Sequence, residues 1–262
     1  MKKIICIWLL LLLLYPTFIS GQVLAAEGLS GELKADLLKN TGFFEGEFGF
    51  STVAGNYDGQ GISFGILQFN LGQQSLQPLL KEYIRRYPDD FQEIFGPEKA
   101  NIVIDILEKP LDQQKDWADT ISASDKHRLK PEWHKAFMKM GEREENQQIQ
   151  RDSEKTKEYF DQAVLLAKGL NINSTQGLAF CFDQAVHKWQ FEPWNIIRNT
   201  VRRSGNTTDK EKLRITLPYV LHKPPGDGHL RRELIYKGSG EYFDRTYDIN
   251  KYQELSYDNT WK

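Results

Sequence analysis

The chain has 262 residues, with 34 basic and 36 acidic side chains, so its formal charge is only −2 at pH 7. A charge so close to zero gives no support to a nucleic-acid-binding protein or to a protein that binds an anionic wall polymer through a basic surface. One of its two cysteines, Cys6, lies in an apolar N-terminal segment, which leaves Cys181 without a disulfide partner. The fold must therefore rest on the burial of apolar surface.

Residues 1–26 are predicted to be a signal peptide. Two lysines precede a leucine-rich apolar run over residues 4–15, and small residues at the end of the segment offer a cleavage site. The run is shorter than the ~20 apolar residues that a membrane-spanning helix needs. We therefore expect a secreted or periplasmic protein whose signal is cleaved, with an uncleaved anchor as the alternative. Residues 27–262 are enough for a single domain.

A short helix is predicted over residues 32–40, just after the signal segment. Its leucines recur at helical spacing, and Ser30 is placed to cap its first turn. Glu45 follows a few residues later, so we expect this carboxylate near the C-terminal end of the helix.

A glycine-rich turn follows over residues 55–65. Four glycines fall within these eleven positions, and glycine is favoured where φ must be positive or where another chain segment approaches closely. Residues 56–59 are turn-forming types, and the apolar, β-favouring run 62–69 comes after them. We expect a β-hairpin with Asp58 at its tip.

Glu45 and Asp58 are a candidate pair of catalytic carboxylates. Hydrolysis of a glycosidic bond needs one carboxyl group that keeps its proton and one that is ionised. Asp58 lies in a polar turn, whereas phenylalanines around Glu45 would supply an apolar wall. Taken singly, a glutamate after a helix is most often a surface charge, and an aspartate before glycine is most often a turn residue. The phenylalanines are Phe43, Phe44 and Phe48.

Residues 58–69, DGQGISFGILQF, resemble the signature DGRG-x-T-x-G-x-x-x-F of glycoside hydrolase family 46 chitosanases, which belong to the lysozyme-like superfamily. The same block is similar to the Gly-Leu-Met-Gln element of peptidoglycan-cleaving lysozymes and transglycosylases. The resemblance implies a mainly α (α+β) fold, a lysozyme-like helical domain with a small β-hairpin or sheet beside the active-site cleft.

The resemblance also implies roles for individual residues. Glu45 matches the general acid of the family, Asp58 the general base that activates water, and Ser63 a threonine that helps to position that water. Family 46 enzymes invert the anomeric centre, which implies carboxyl groups roughly 6.5–9.5 Å apart. Glu47 is close to Glu45 in the chain, so the choice of acid between the two is open.

The sequence departs from the family pattern at two places. Gln60 replaces an arginine, and residues 71–75 lack the acidic residue that meets a cationic sugar in the family. These departures weaken the chitosan assignment more than the hydrolase assignment, and Gln60 and the Gln68 region depart toward the lysozyme pattern. Gln60, Gln68 and Asn70 are the candidate substrate-binding residues.

The rest of the chain is predicted to be mostly helical. Apolar spacing and proline positions indicate helices at residues 76–86, after Pro97, at residues 111–121 and at residues 131–140. Residues 142–158 are rich in charge and glutamine, so we expect an exposed helix there.

Residues 176–189 form the most apolar predicted helix, which we expect to be the central buried one. Asp183 lies within it, and a buried carboxylate needs a partner. In the proteins that this chain resembles, an acidic residue on this helix joins an ion-pair network near the site, with arginines late in the chain. The resemblance thus implies Arg231 and Arg232 as partners of Asp183; an unpaired Asp183 at the rim is the alternative.

No metal or cofactor is predicted. The five histidines lack metal-ligand spacing, and no paired-cysteine, His-Glu-x-x-His, serine-hydrolase or phosphate-binding motif occurs. The sequence thus predicts a monomeric, secreted hydrolase of a β-1,4-linked amino-sugar polymer, chitosan first and peptidoglycan second. A polysaccharide-binding protein without turnover is a further alternative. Neither nucleic acid nor, after signal cleavage, a membrane is an expected partner.

Overall fold

The computed structural model describes residues 26–188, 194–205, 207–220 and 227–262. Within these ranges the chain forms eleven α-helices and two small antiparallel sheets, so the prediction of a mainly helical protein with a small sheet is confirmed. The helices are α1 (Gly31–Glu45), α2 (Leu76–Arg86), α3 (Pro88–Leu107), α4 (Leu111–Ile121), α5 (Pro131–Glu142), α6 (Glu144–Asp152), α7 (Glu154–Gly169), α8 (Thr175–Lys188), α9 (Trp194–Arg203), α10 (Asp209–Val220) and α11 (Asp227–Lys237).

The strands are very short. β1 (Val53–Ala54), β2 (Ser63–Phe64) and β3 (Phe69–Asn70) form one antiparallel sheet in that order, and β4 (Ser239–Tyr242) pairs with β5 (Arg245–Asp248) in another. The predicted hairpin is formed by β1 and β2, with residues 55–62 as its connection.

The β-favouring composition of the apolar run 62–69 suggests one continuous strand. In the structure the run is divided between β2 and β3. Gly65 and Gln68 have positive φ angles, 87° and 51°, which turn the chain between β2 and β3. The turn lets Ser63 pair with Asn70 across the sheet.

Helix α1 carries the predicted acid at its last position. The Ser30 hydroxyl accepts a hydrogen bond from the Leu33 amide at 3.1 Å, so its predicted capping role is confirmed. The helix continues past residue 40 to Glu45 because its last turn is packed: the Phe44 ring lies 4.9 Å from the Tyr242 ring and 5.0 Å from the Tyr247 ring.

Helix α8 lies at the centre of the described core, as predicted. Cys181, Phe182 and Asp183 have no exposed surface, and the Phe160 ring of α7 stacks on Phe182 at 4.7 Å. Helices α1, α10 and α11 also contact α8. Helix α8 therefore contacts both α1, which ends at Glu45, and α11, which carries Arg231 and Arg232. The predicted end of this helix at Trp189 lies outside the described residues.

The charged segment 142–158 differs from the single exposed helix that was predicted. It divides at Ser153, whose hydroxyl caps α7 by accepting from the Thr156 amide at 3.1 Å. Gln150 is fully buried, since its Oε1 accepts from the Ile66 amide at 2.9 Å and its Nε2 donates to the Phe50 carbonyl at 3.0 Å. The polar side chain of Gln150, on α6, thus holds the β2–β3 turn in place.

Of the predicted signal peptide, only Ala26 falls within the described residues, where it is buried and its amide donates to the Asp161 carboxylate at 2.8 Å. Among the described helices, none combines the length and the apolar character that crossing a membrane requires.

Candidate active site

Glu45 projects from the last residue of α1 towards α8 and α11. Its side chain is 15% exposed, and its Oε1 lies 2.8 Å from Arg231 Nη1 and 3.9 Å from His187 Nδ1. An ion pair with a side chain that is itself only 1% exposed holds the carboxylate in one place. Glu45 is therefore a positioned carboxylate rather than a free surface charge.

Arg231 also contacts the buried Asp183. Its Nε and Nη2 donate to Asp183 Oδ1 at 3.1 and 2.6 Å, and Arg232 Nε lies 3.6 Å from Asp183 Oδ2. Burial opposes the ionisation of Asp183, but the two guanidinium groups outweigh it and hold the pKa of this carboxyl below its usual value. The structure thus places Arg231 and Arg232 against Asp183, and Arg231 bridges Asp183 to Glu45.

His187 lies one helical turn beyond Asp183 on α8. Its side chain is 32% exposed. Burial and the charge of Arg231 lower its pKa below the usual 6.5, although Asp183 and Glu45 oppose the change. The imidazole beside Glu45 is therefore neutral at neutral pH.

We expect His187→Asn to reduce the loss of stability on acidification. The unfolded chain takes up a proton at His187 near pH 6.5, whereas the folded chain resists it, so stability falls as the pH drops below that value. Thermal unfolding measured from about pH 8 to about pH 5 should show a smaller fall in Tm for the variant. The same substitution at the exposed His127 should keep the wild-type fall. An identical fall in His187→Asn and wild type would contradict the prediction.

The predicted apolar wall around Glu45 differs from what the structure shows. Phe43 packs on Tyr247, with ring centroids 5.6 Å apart, and Phe48 is 52% exposed. Phe44 is buried, and its ring lies 5.2 Å from the Arg231 guanidinium carbon. The ion-pair partners of Glu45 lie on α8 and α11. Phe43 and Phe44 pack against the core, and Phe48 faces solvent.

Asp58 lies exposed in the 55–62 connection, and its Oδ1 accepts a hydrogen bond from the Gln60 amide at 3.0 Å. The connection is fixed by Asn56, whose Oδ1 accepts from the Gly61 amide at 2.6 Å and whose Nδ2 donates to Asp119 at 2.7 Å. Asp58 is thus an exposed carboxylate on an ordered loop.

Gly55 shows why this loop needs glycine. A Cβ at position 55 would lie 2.4 Å from the Lys126 carbonyl oxygen and 2.7 Å from that of Arg128, distances that side chains do not tolerate. The close approach docks the Asp58 loop on the segment after α4, where the Tyr57 ring stacks on His127 at 4.9 Å.

Ser63 and Asn70 form a hydrogen-bonded pair across the sheet. Asn70 Nδ2 donates to the Ser63 hydroxyl oxygen at 2.8 Å, and the backbone amide of Asn70 donates to the Ser75 hydroxyl oxygen at 2.8 Å. Because the Ser63 oxygen accepts from Asn70, its own proton is available to another acceptor. Asn70 is 4% exposed, so it orients Ser63 rather than standing free in solvent.

The two glutamines have different surroundings. Gln60 is exposed beside Asp58, whereas Gln68 turns back on the chain, donating from Nε2 to the carbonyl oxygens of Gly65 at 2.9 Å and Thr52 at 3.4 Å. The side-chain amide of Gln68 therefore helps to hold the β2–β3 turn.

Close packing brings the end of α1 to this sheet. A Cβ at Gly42, within one turn of Glu45, would lie 2.5 Å from Ile66 Cγ1. Ile66 follows Ser63 by three residues in the β2–β3 turn. The segments that carry Glu45 and Ser63 are therefore neighbours.

A groove of about 840 Å³ lies between α2 and the α6–α7 junction. Lys155 pairs with Glu158 at 3.0 Å, and Lys157 pairs with Glu154 at 2.8 Å. Asp152 accepts from the Gln148 amide at 2.8 Å and forms no ion pair with a described residue. The charged side chains that line the groove are Glu82, Arg86, Asp152, Glu154, Lys155, Lys157 and Glu158.

Tyr159 lies next in the chain to the α7 wall of the groove. Tyr159 follows Glu158, and burial, together with the charges of Glu158 and Glu45, raises the pKa of Tyr159 to about 12. Ser75, which holds Asn70, lines the opposite wall. None of the candidate site residues lines the groove, and Asn70 is linked to it through Ser75.

Solved chitosanases share this fold. The native chitosanase of Bacillus subtilis MY002 matches with a TM-score of 0.50 at 15% identity, over 80% of this chain and 89% of that one. A mutant chitosanase from the same strain, complexed with 6 GlcN, matches with a TM-score of 0.52 at 14% identity, over 84% and 97%. The Gynuella sunshinyii GH46 chitosanase GsCsn46A, in complex with chitotetraose, matches with a TM-score of 0.53 at 15% identity, over 84% and 98%.

No protein-family model and no curated protein sequence matches the chain. The likeness to family 46 chitosanases is therefore a likeness of fold, and at this identity it establishes the fold alone. It confirms the predicted lysozyme-like helical architecture with a small sheet beside it.

Proposed function

We propose that this protein is a glycoside hydrolase that cleaves a β-1,4-linked amino-sugar polymer, with chitosan as its substrate, by an inverting mechanism with two carboxylates. In this proposal Glu45 protonates the leaving oxygen, Asp58 activates a water molecule, and Ser63 orients that water. The two carboxyl groups should lie roughly 6.5–9.5 Å apart across the bound sugar, which leaves room for one water.

The observation that carries the proposal is the surroundings of Glu45. The Glu45 carboxylate is 15% exposed, ion-paired to Arg231 and close to His187. The ion pair fixes the position of the carboxyl group, which must take up a proton before it can act as the acid. The shared fold with chitosanases that bind glucosamine oligomers supports the same reaction class.

The charges of the groove support chitosan over peptidoglycan. Residues 71–75 lack the acidic residue that meets a cationic sugar in the family. The wall that faces Ser75 carries the carboxylate of Asp152, which has no ion-pair partner among the described residues, and that of Glu158, which is ion-paired with the partly exposed Lys155. An ammonium group of the substrate can replace that lysine at little cost, because exposed ion pairs contribute about 0–1 kcal/mol. The wall of α6 and α7 would thus supply the missing negative charge.

We expect the wild type to hydrolyse chitosan, and Asp58→Asn to lower kcat by roughly 10²–10⁴-fold, the usual contribution of a general base. Product release from chitosan and from purified peptidoglycan should be measured in parallel, with the anomeric form of the first product followed by NMR. Inverted product from chitosan supports the proposal.

Hydrolysis of peptidoglycan alone would favour the muramidase alternative. Binding of either polymer without turnover in the wild type would favour a polysaccharide-binding protein. Full activity in Asp58→Asn would contradict the mechanism.

A further inference from the structure

A second cavity, of about 650 Å³, lies against α1 near Phe48. We call it the Phe48 cavity. Its volume is in the range that holds a small ligand of several rings. The residues that the argument below uses are Lys39, Glu47, Phe48, Glu142, Arg245 and Tyr252.

The Phe48 cavity is separate from the surroundings of Glu45. Lys39, Gly42 and Phe43 present one face of α1 to it, and at 100° per residue Glu45 points roughly 110° away around the helix. Neither ion-pair partner of Glu45, Arg231 nor His187, lines the cavity. The ion pairs that hold Glu45 therefore lie outside the Phe48 cavity.

Two aromatic residues at the cavity form hydrogen bonds with neighbouring residues. Phe48 is 52% exposed, yet its amide donates to the Thr52 hydroxyl at 3.2 Å. A Cβ at Gly46 would lie 2.3 Å from Thr52 Cγ2, so the loop after α1 is closely packed. Tyr252 donates its hydroxyl proton to the Lys39 carbonyl oxygen at 3.5 Å. An exposed ring on a closely packed loop, as in Phe48, is suited to packing against the face of a sugar.

Charges of both signs line the Phe48 cavity. Glu47 and Glu142 are exposed on the side of the 46–51 loop and α5, and Lys39 and Arg245 stand on the side of α1 and β5. None of the four forms an ion pair with a described residue. The Arg245 guanidinium is instead held over the Phe43 ring, 4.7 Å from its centroid. The cavity thus offers anionic and cationic sides to one ligand.

We propose that the Phe48 cavity is a second saccharide-binding site that takes a short stretch of a partly N-acetylated glucosamine chain. Ammonium groups of the ligand would meet Glu47 and Glu142, acetamido carbonyls and hydroxyls would accept from Lys39 and Arg245, and a ring would pack on Phe48. The identity of this ligand rests on the proposed function, since the polymer is the one cleaved at Glu45. The site would hold the polymer at a point away from the scissile bond.

Calorimetric titration with partly acetylated chitosan hexamer tests the inference. In the Glu45→Gln protein, used to suppress turnover, two binding events are expected. Adding Phe48→Ala and Glu142→Gln should remove one of them, or weaken it at least tenfold. The matched control adds Phe243→Ala instead, because Phe243 is 72% exposed and lies outside the cavity; both events should remain.

A single binding event in the Glu45→Gln protein would overturn the inference, as would two undiminished events after the Phe48 and Glu142 substitutions. Tighter binding of a muropeptide than of the hexamer at this site would also overturn it. Hydrolysis of chitosan by the wild type is measured separately. Absence of hydrolysis therefore defeats the proposed function, whereas hydrolysis with one binding event defeats only the second site.

Discussion

Glu45→Gln is expected to lower kcat on chitosan by roughly 10³-fold, within the range for loss of a general acid. Glutamine keeps the shape of the side chain but cannot give a proton to the leaving oxygen. It also removes the charge that pairs with Arg231 at 2.8 Å. Because the substituted group would act in the chemical step, the change should appear in kcat more than in KM, as initial rates over a range of substrate concentrations will show.

Two further substitutions give this experiment its controls. Glu32→Gln changes an exposed glutamate in the first turn of the same helix and should leave kcat within about twofold of wild type, as expected for a surface site. Glu47→Gln decides between the two candidate acids. If Glu47→Gln abolished turnover while Glu45→Gln kept it, the role of acid would belong to Glu47. In the structure Glu47 lines the Phe48 cavity instead of contacting Arg231.

Local patterns predicted the parts of the fold that depend on nearby residues. The Ser30 cap, the hairpin around Asp58 and the buried helix α8 follow from capping chemistry, turn residues and helical spacing. The extension of α1 to Glu45 did not follow, because it depends on ring contacts with β4 and β5, about two hundred residues away in the chain. Helix ends that are fixed by tertiary packing leave no local signal.

Two contacts were also not predicted from the sequence. Arg231 was predicted as a partner of Asp183, but its ion pair with Glu45 depends on how α1 and α11 meet on α8. Gln150 lies in a segment whose composition indicates an exposed helix, yet its amide is buried beneath the β2–β3 turn. A polar residue with a backbone partner from another element looks the same in the sequence as a solvated one.

The second large effect is expected from Arg231→Met. The substitution leaves Asp183, which has no exposed surface, with Arg232 at 3.6 Å as its remaining ion-pair partner among the residues described. Removing one member of a buried ion pair costs about 3–5 kcal/mol in the free energy of unfolding. Denaturant unfolding should detect this loss directly. Arg214→Met is the control, because Arg214 pairs with Glu211 at the surface and such pairs contribute about 0–1 kcal/mol.

A double variant separates the two roles of Arg231. Asp183→Leu combined with Arg231→Met removes two of the three buried charges of this network and leaves Arg232, which still donates to the Gly228 carbonyl oxygen. An apolar replacement of a buried pair is often neutral or stabilising. The double variant should therefore recover at least half of the lost stability. Activity should not recover, because Glu45 still lacks the guanidinium that holds it. Recovery of both would mean that Arg231 serves only the core, and recovery of neither would mean that the network is needed for folding itself.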